Sequence, residues 1–216
     1  MARRRHSPFA TVRTEGAILP ADLLERVAAG DRSLGGLATT DYGLAPGESL
    51  GEAASRSWNR LLGLWRSFRT AAAALPEGEP GTGMTRERWL LPLFQELGYE
   101  RLPVHRATEI DGKSYPISHL REGLPVHLVG CGVDLDARST GVAGAARASP
   151  HSLVQEFLNR SPGHLWGVVS NGLRLRILRD NASLTRQAYV ELDLEAMLDG
   201  EAFADFSLLW LLCHRT

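Results

Sequence analysis

The chain has 216 residues, 44% of them hydrophobic, with a formal net charge of −1. That length suits one large domain, or a domain with an extension, and the apolar content excludes an intrinsically disordered protein. The near-neutral charge gives no global field for nucleic acid, so any such surface has to be a local patch. Cys131 and Cys213 lie far apart in sequence and offer neither a disulfide framework nor a CxxC metal pair. No apolar run is long enough for a transmembrane helix, and the basic start MARRRHSPFA lacks the apolar segment of a secretion signal. The expected setting is therefore the cytoplasm, with no membrane partner. All but one of the 24 basic residues are arginine, so chemistry that needs a lysine has one candidate, Lys113.

Residues 1–17 read as a disordered basic arm whose Arg3, Arg4 and Arg5 are either frayed or on phosphates. Residues 18–80 read as a helical extension. A short helix over 18–30 carries Leu19, Leu23, Leu24 and Val27 on one face and stops at Gly30. A long helix over 48–75 repeats Trp58, Leu61, Leu62, Trp65 and Phe68 at helical spacing, with arginines on its other side. That side is either a solvated face or a basic surface for DNA. The Pro- and Gly-rich stretch 76–83 is the expected domain boundary.

From residue 84 to 216 the order is helix, strands, helix, strands, which predicts an α/β (α+β) domain around a mixed sheet. Its first helix is expected to be capped by Thr85, disturbed at Pro92 and ended by Gly98. Asp111-Gly112 predicts a hairpin turn. A buried strand over 125–136 ends in glycines, and a helix over 149–161 starts with Ser149 as cap and Pro150 in first position. LWGVVS and LRLRILRD flank Asn171-Gly172, a structural hairpin turn in which both residues tolerate positive φ. In the second of these strands Leu173, Leu175 and Ile177 face one way, Arg174 and Arg176 the other. The segment 201–214 reads as an apolar helix at which the chain stops, the pattern of a fragment of something longer.

Three groups of residues carry a resemblance. They are Gln155 within SLVQEFLNRS, the run Trp166-Gly167-Val168-Val169-Ser170-Asn171-Gly172, and the segments ERWLLPLFQELGY and EIDGKSYPISH. Together they resemble the N-terminal regions of type I restriction subunits and of large type IIG-like restriction-modification DNA adenine methylases. Phage-defence methylases of the DISARM kind belong to that group. The resemblance spans roughly 84–215 and implies the restriction-endonuclease-like PD-(D/E)XK fold. It also implies DNA as a partner, together with a C-terminal methylase region or other defence-system subunits. An active member of the nuclease family needs an acid on the first strand and an acid-x-Lys on the second. Here Ile117 stands at the first place and Gly130 and Gly132 at the second, so the resemblance implies a catalytically degenerate module. No S-adenosylmethionine motif is present, so that cofactor is expected only in a part beyond residue 216.

Two alternatives stay open. A working Mg²⁺ nuclease would use a migrated carboxylate set, Glu109, Asp134 and Asp136. A purely structural assembly module would associate through the apolar C-terminal helix. His119, His127 and Cys131 also invite a zinc reading, weighed against ordinary core side chains. The expected DNA contacts are Arg174, Arg176, Arg179 and Arg186 on and after the hairpin. Arg147 and Ser149 join them at the start of the following helix.

Overall fold

The computed structural model describes residues 9–16, 18–180 and 187–215. Its strands are β1 (Val12–Glu15), β2 (Thr108–Ile110), β3 (Lys113–Tyr115), β4 (His119–Arg121), β5 (Leu124–Leu128), β6 (Trp166–Ser170), β7 (Arg174–Arg179) and β8 (Tyr189–Asp193). Six of them form one sheet in the order β1-β8-β7-β6-β5-β4, and β2 and β3 form a separate hairpin. Only β5 and β6 pair in parallel in that sheet, because the helix α5 (Pro150–Arg160) crosses over between them. The fold is therefore mixed α/β, with helices on both sides of a mixed sheet.

Strand alternation gives the sheet two apolar faces. Val126, Val168, Leu175, Ile177, Val190 and Leu192 point into one cluster. Helices α1 (Ala21–Ala28), α2 (Leu50–Ala73), α6 (Leu194–Asp199) and α7 (Phe203–Cys213) cover that side. A helical rod completes the layer; it runs through α3 (Thr82–Thr85), a π-helical turn (Arg86–Leu90), α4 (Leu91–Phe94) and a second π-helical turn (Gln95–Tyr99). Val169 and Leu178 point the other way, into a cluster with Tyr115, Val129, Leu135, Leu153 and Phe157. The core thus lies in two slabs on either side of the sheet.

Several expectations need correction. Residues 12–15 of the supposed arm are β1, which pairs antiparallel with β8. Val12 is buried, and the backbone N–H and hydroxyl of Thr11 both donate to the Asp205 carboxylate, at 2.8 and 2.7 Å. The strand covers what would otherwise be the bare edge of β8; residues 1–8, with Arg3, Arg4 and Arg5, lie outside the described residues. Residues 18–80 are not set apart either. Trp58, Leu61, Trp65 and Phe68 of α2 share one cluster with Trp89 of the rod, Val168 of the sheet and Trp210 of α7. The Pro- and Gly-rich stretch therefore divides no second core from the first.

Thr85 is not a cap. The rod starts earlier, after Gly81 at φ 64°, and the buried Thr85 hydroxyl accepts the Cys131 N–H at 3.0 Å. Pro92 follows the first π-helical turn, where its missing N–H leaves a carbonyl one turn back without its usual donor. Gly98, at φ 81°, breaks the helix as expected. The hairpin at Asp111-Gly112 is present, with φ of 50° and 74°, and Ser149 caps α5 by accepting the Ser152 N–H. The cap of α2 is Ser49, in a reciprocal box with Glu52.

The arginine side of α2 is a paired surface. Arg60 meets Glu96 at 2.6 Å, Arg69 meets Glu195 at 2.6 Å, Arg66 meets Glu201 at 3.4 Å, and Arg56 pairs with Glu48. α7 is apolar all round because it packs against both α1 and α2, with Leu208, Leu209 and Trp210 buried. Among the described residues no helix is long and apolar enough to cross a membrane.

Candidate arginine site

The hairpin between β6 and β7 positions the candidate arginines. Its turn is not centred on Asn171-Gly172. The Asn171 N–H donates to the Arg174 carbonyl at 3.2 Å, so the pair Asn171 and Arg174 closes a loop around Gly172 and Leu173. Only Gly172 takes positive φ, at 85°. Asn171 works through its side chain instead. Its Oδ1 accepts the N–H groups of Leu173 and Arg174 at 3.1 and 2.8 Å, and its Nδ2 donates to the Val133 carbonyl at 2.9 Å. Those bonds tie the hairpin to the loop that follows β5. Gly172 leaves no room for a side chain, since a Cβ there would sit 2.6 Å from the Thr85 methyl.

Alternation places Arg174 and Arg176 on one face, and that part of the prediction stands. Their exposure differs completely. Arg174 is exposed, whereas Arg176 is 3% exposed, enclosed between the sheet, α5 and the loop after β5. Its Nε donates to Glu191 Oε2 at 2.6 Å, and Nη1 and Nη2 donate to the two carboxylate oxygens of Asp136 at 2.6 and 2.7 Å. Nη1 also lies 3.2 Å from His151 Nδ1, and the guanidinium sits 4.7 Å from the centre of the Tyr189 ring. Burial works against the charge of Arg176, but hydrogen bonds to Asp136 and Glu191 outweigh it and raise its pKa. The same bonds hold the Asp136 carboxyl below the usual carboxylate range. Burial, then the Arg176 charge, pushes His151 down to about 4, so its ring is neutral. Arg176 is thus a neutralised internal cation, not an exposed DNA contact.

The other expected contacts are dispersed. Arg147 is exposed just before α5. Ser149 is buried and its hydroxyl is spent on Ser152, while the His151 N–H donates to the Leu135 carbonyl, so this helix start is no open anion cradle. Arg179 lies at the far end of β7 on the opposite face, 5.5 Å from the centre of the Trp166 ring. Arg186 lies outside the described residues. Arg174 remains as a solvent-facing member of the cleft lined by Asp134, Asp136, Asn171, Arg174, Arg176 and Glu195, whereas Arg147 is solvent-facing but outside that lining.

The migrated carboxylate set is not assembled. Both oxygens of Asp136 are on Arg176, Asp134 Oδ1 accepts the Asp136 N–H at 2.8 Å, and Glu109 is in the separate β2–β3 hairpin. Among the described residues no group of three His, Cys, Asp or Glu side chains is placed to hold a metal ion. His127 spends both ring nitrogens, on the Ser118 N–H and the Gly144 carbonyl, and His119 bonds the Ser118 hydroxyl at 2.8 Å. Burial pushes both of these histidines down to about 4.

At the end of β5, Gly130 and Gly132 are packed against the chain at 79–82. A Cβ on Gly130 would lie 1.8 Å from the Pro80 carbonyl oxygen, and one on Gly132 would lie 2.7 Å from that of Glu79. The Gly132 N–H donates to Pro80 at 3.2 Å. No carboxylate or ammonium fits at either position without moving that backbone.

Sequence reasoning missed Glu191 and His151. One signal was available for Glu191: an acid at the centre of the apolar strand YVELD calls for a buried cation beside it, and Arg176 is its direct cross-strand neighbour. No known protein family, curated protein or solved structure matches this chain.

Proposed function

We propose that this chain is a non-cleaving DNA-contact module of a bacterial restriction-modification or phage-defence methylase, working in the cytoplasm. The restriction-endonuclease-like ancestry is part of the same proposal. The observation that carries it is the glycine-lined end of β5. Where the nuclease pattern calls for an acid and a lysine, the backbone of Glu79 and Pro80 fills the space. Asp136, the best-placed replacement carboxylate, is committed to Arg176. What is left for DNA is electrostatic contact through Arg174 and Arg147, both solvent-facing.

The test is duplex and plasmid DNA incubated with the purified chain, with and without Mg²⁺. The reading expects retention of DNA at low salt and intact plasmid in both conditions. Nicking that requires Mg²⁺ and disappears in Asp134→Ala would overturn it in favour of a nuclease. Docking onto the rest of such an enzyme is a second reading. It draws on an apolar cleft whose rim residues Leu19, Leu124, Trp166 and Leu212 are only half-buried.

A further inference from the structure

We infer that the outer edge of the Arg176 guanidinium is a phosphate-oxygen site, held in this conformation by the Asp136 carboxylate in place of its ligand. The inference rests on the DNA-contact reading and names the group through which the cleft would grip the backbone.

One carboxylate neutralises one buried guanidinium, and Glu191 does so on the Nε edge from a side chain that is 8% exposed. Asp136 brings a second negative charge to the same cation. Its side chain is 54% exposed and comes from the loop between β5 and α5. The pair is bidentate, two N–H donors to two oxygens, and a phosphate diester presents two oxygens to the same fork.

The loop does not depend on this contact. It is fastened by the Leu135 carbonyl to the His151 N–H and by the Val133 carbonyl to Asn171 Nδ2. Rotation of the Asp136 side chain therefore uncovers Nη1 and Nη2 while the backbone stays in place. Arg174 stands two residues away on the same face, exposed, with the Asp136 carboxylate inside its field. An oxyanion replacing Asp136 meets two guanidinium groups. The remaining cleft acids are engaged: Glu195 pairs with Arg69 at 2.6 Å, and Asp134 Oδ1 accepts the Asp136 amide.

The test is Asp136→Asn in the full chain, which leaves Glu191 to neutralise Arg176. The variant is expected to bind duplex DNA roughly tenfold more tightly than wild type at low salt, the worth of one uncovered charge-assisted fork. Inorganic phosphate is expected to raise the melting temperature of Asp136→Asn but not of wild type. Both gains should vanish when Arg176→Lys is added, in a variant whose far-ultraviolet circular dichroism confirms folding. If wild type binds DNA and Asp136→Asn binds no better, Asp136 is only a structural counter-ion and the inference falls while the DNA reading stands. If wild type fails to bind DNA, that reading falls. The phosphate arm then decides the inference alone: an Arg176-dependent melting shift upholds a site for free phosphate, and no shift ends it.

Discussion

At the scale of single residues, a buried charge is tolerated only where every edge of it is paired. Arg176 meets that demand with Glu191, Asp136 and the neutral ring of His151, and this explains why an alternating strand hides one of its two arginines. Three buried histidines, His119, His127 and His151, share a related property. Each is held near 4, against an ordinary value of 6.5, chiefly by burial. A folded-state value below the unfolded one means that the unfolded chain takes up protons first. Their stabilising contribution is complete above about 6.5 and is lost as the pH falls towards 4. Urea unfolding at stepped pH is expected to show the midpoint dropping across that window. A midpoint constant between pH 6.5 and 4.5 would contradict the neutral, buried assignment.

At the scale of elements, local signals and contacts distant in sequence divide the work. Asp111-Gly112 and Ser149-Pro150 are legible because a turn and a cap are decided by a few adjacent residues. The Asn171-Gly172 turn was only half legible. The dipeptide marks a tight turn, but the pairing register of β6 and β7 shifts its centre to Gly172 and Leu173. The side chain of Asn171 is then free to bond the Val133 carbonyl, a partner 38 residues away. Asn171→Ala removes that donor and both turn acceptor bonds, and leaves the Val133 carbonyl without it. We expect a loss of about 2 kcal/mol in denaturant titration. A change within a few tenths would mean that the turn holds without its side chain.

At the scale of the whole molecule, the alternation of helices and strands was enough to predict a mixed α/β fold. The placement of the N-terminal elements was not. β1 has only four residues and is stabilised by β8, far along the chain; no local periodicity announces such a pair. The 76–83 stretch looks like a linker by composition, yet its carbonyls close over Gly130 and Gly132. With α2 and the sheet sharing one apolar cluster, heating should give one cooperative transition by near- and far-ultraviolet circular dichroism. Two separated transitions would restore the two-domain reading. The candidate site was legible as a set of arginines but not as a surface. The opposite facing of Arg179 follows from the same alternation that pairs Arg174 with Arg176, whereas burial of Arg176 follows from its cross-strand neighbour Glu191 and from Asp136 in the loop after β5, neither of which the strand sequence contains.

The central claim is contact with DNA without cleavage, and its most direct measurement is duplex affinity across a salt series. Wild type would be compared with Arg174→Ala plus Arg147→Ala, in Mg²⁺. Affinity is expected to fall steeply with salt, with a slope shallower by about two in the double variant, and the DNA is expected to stay intact. Absence of binding at low salt, or a slope unchanged by losing both arginines, would contradict that claim.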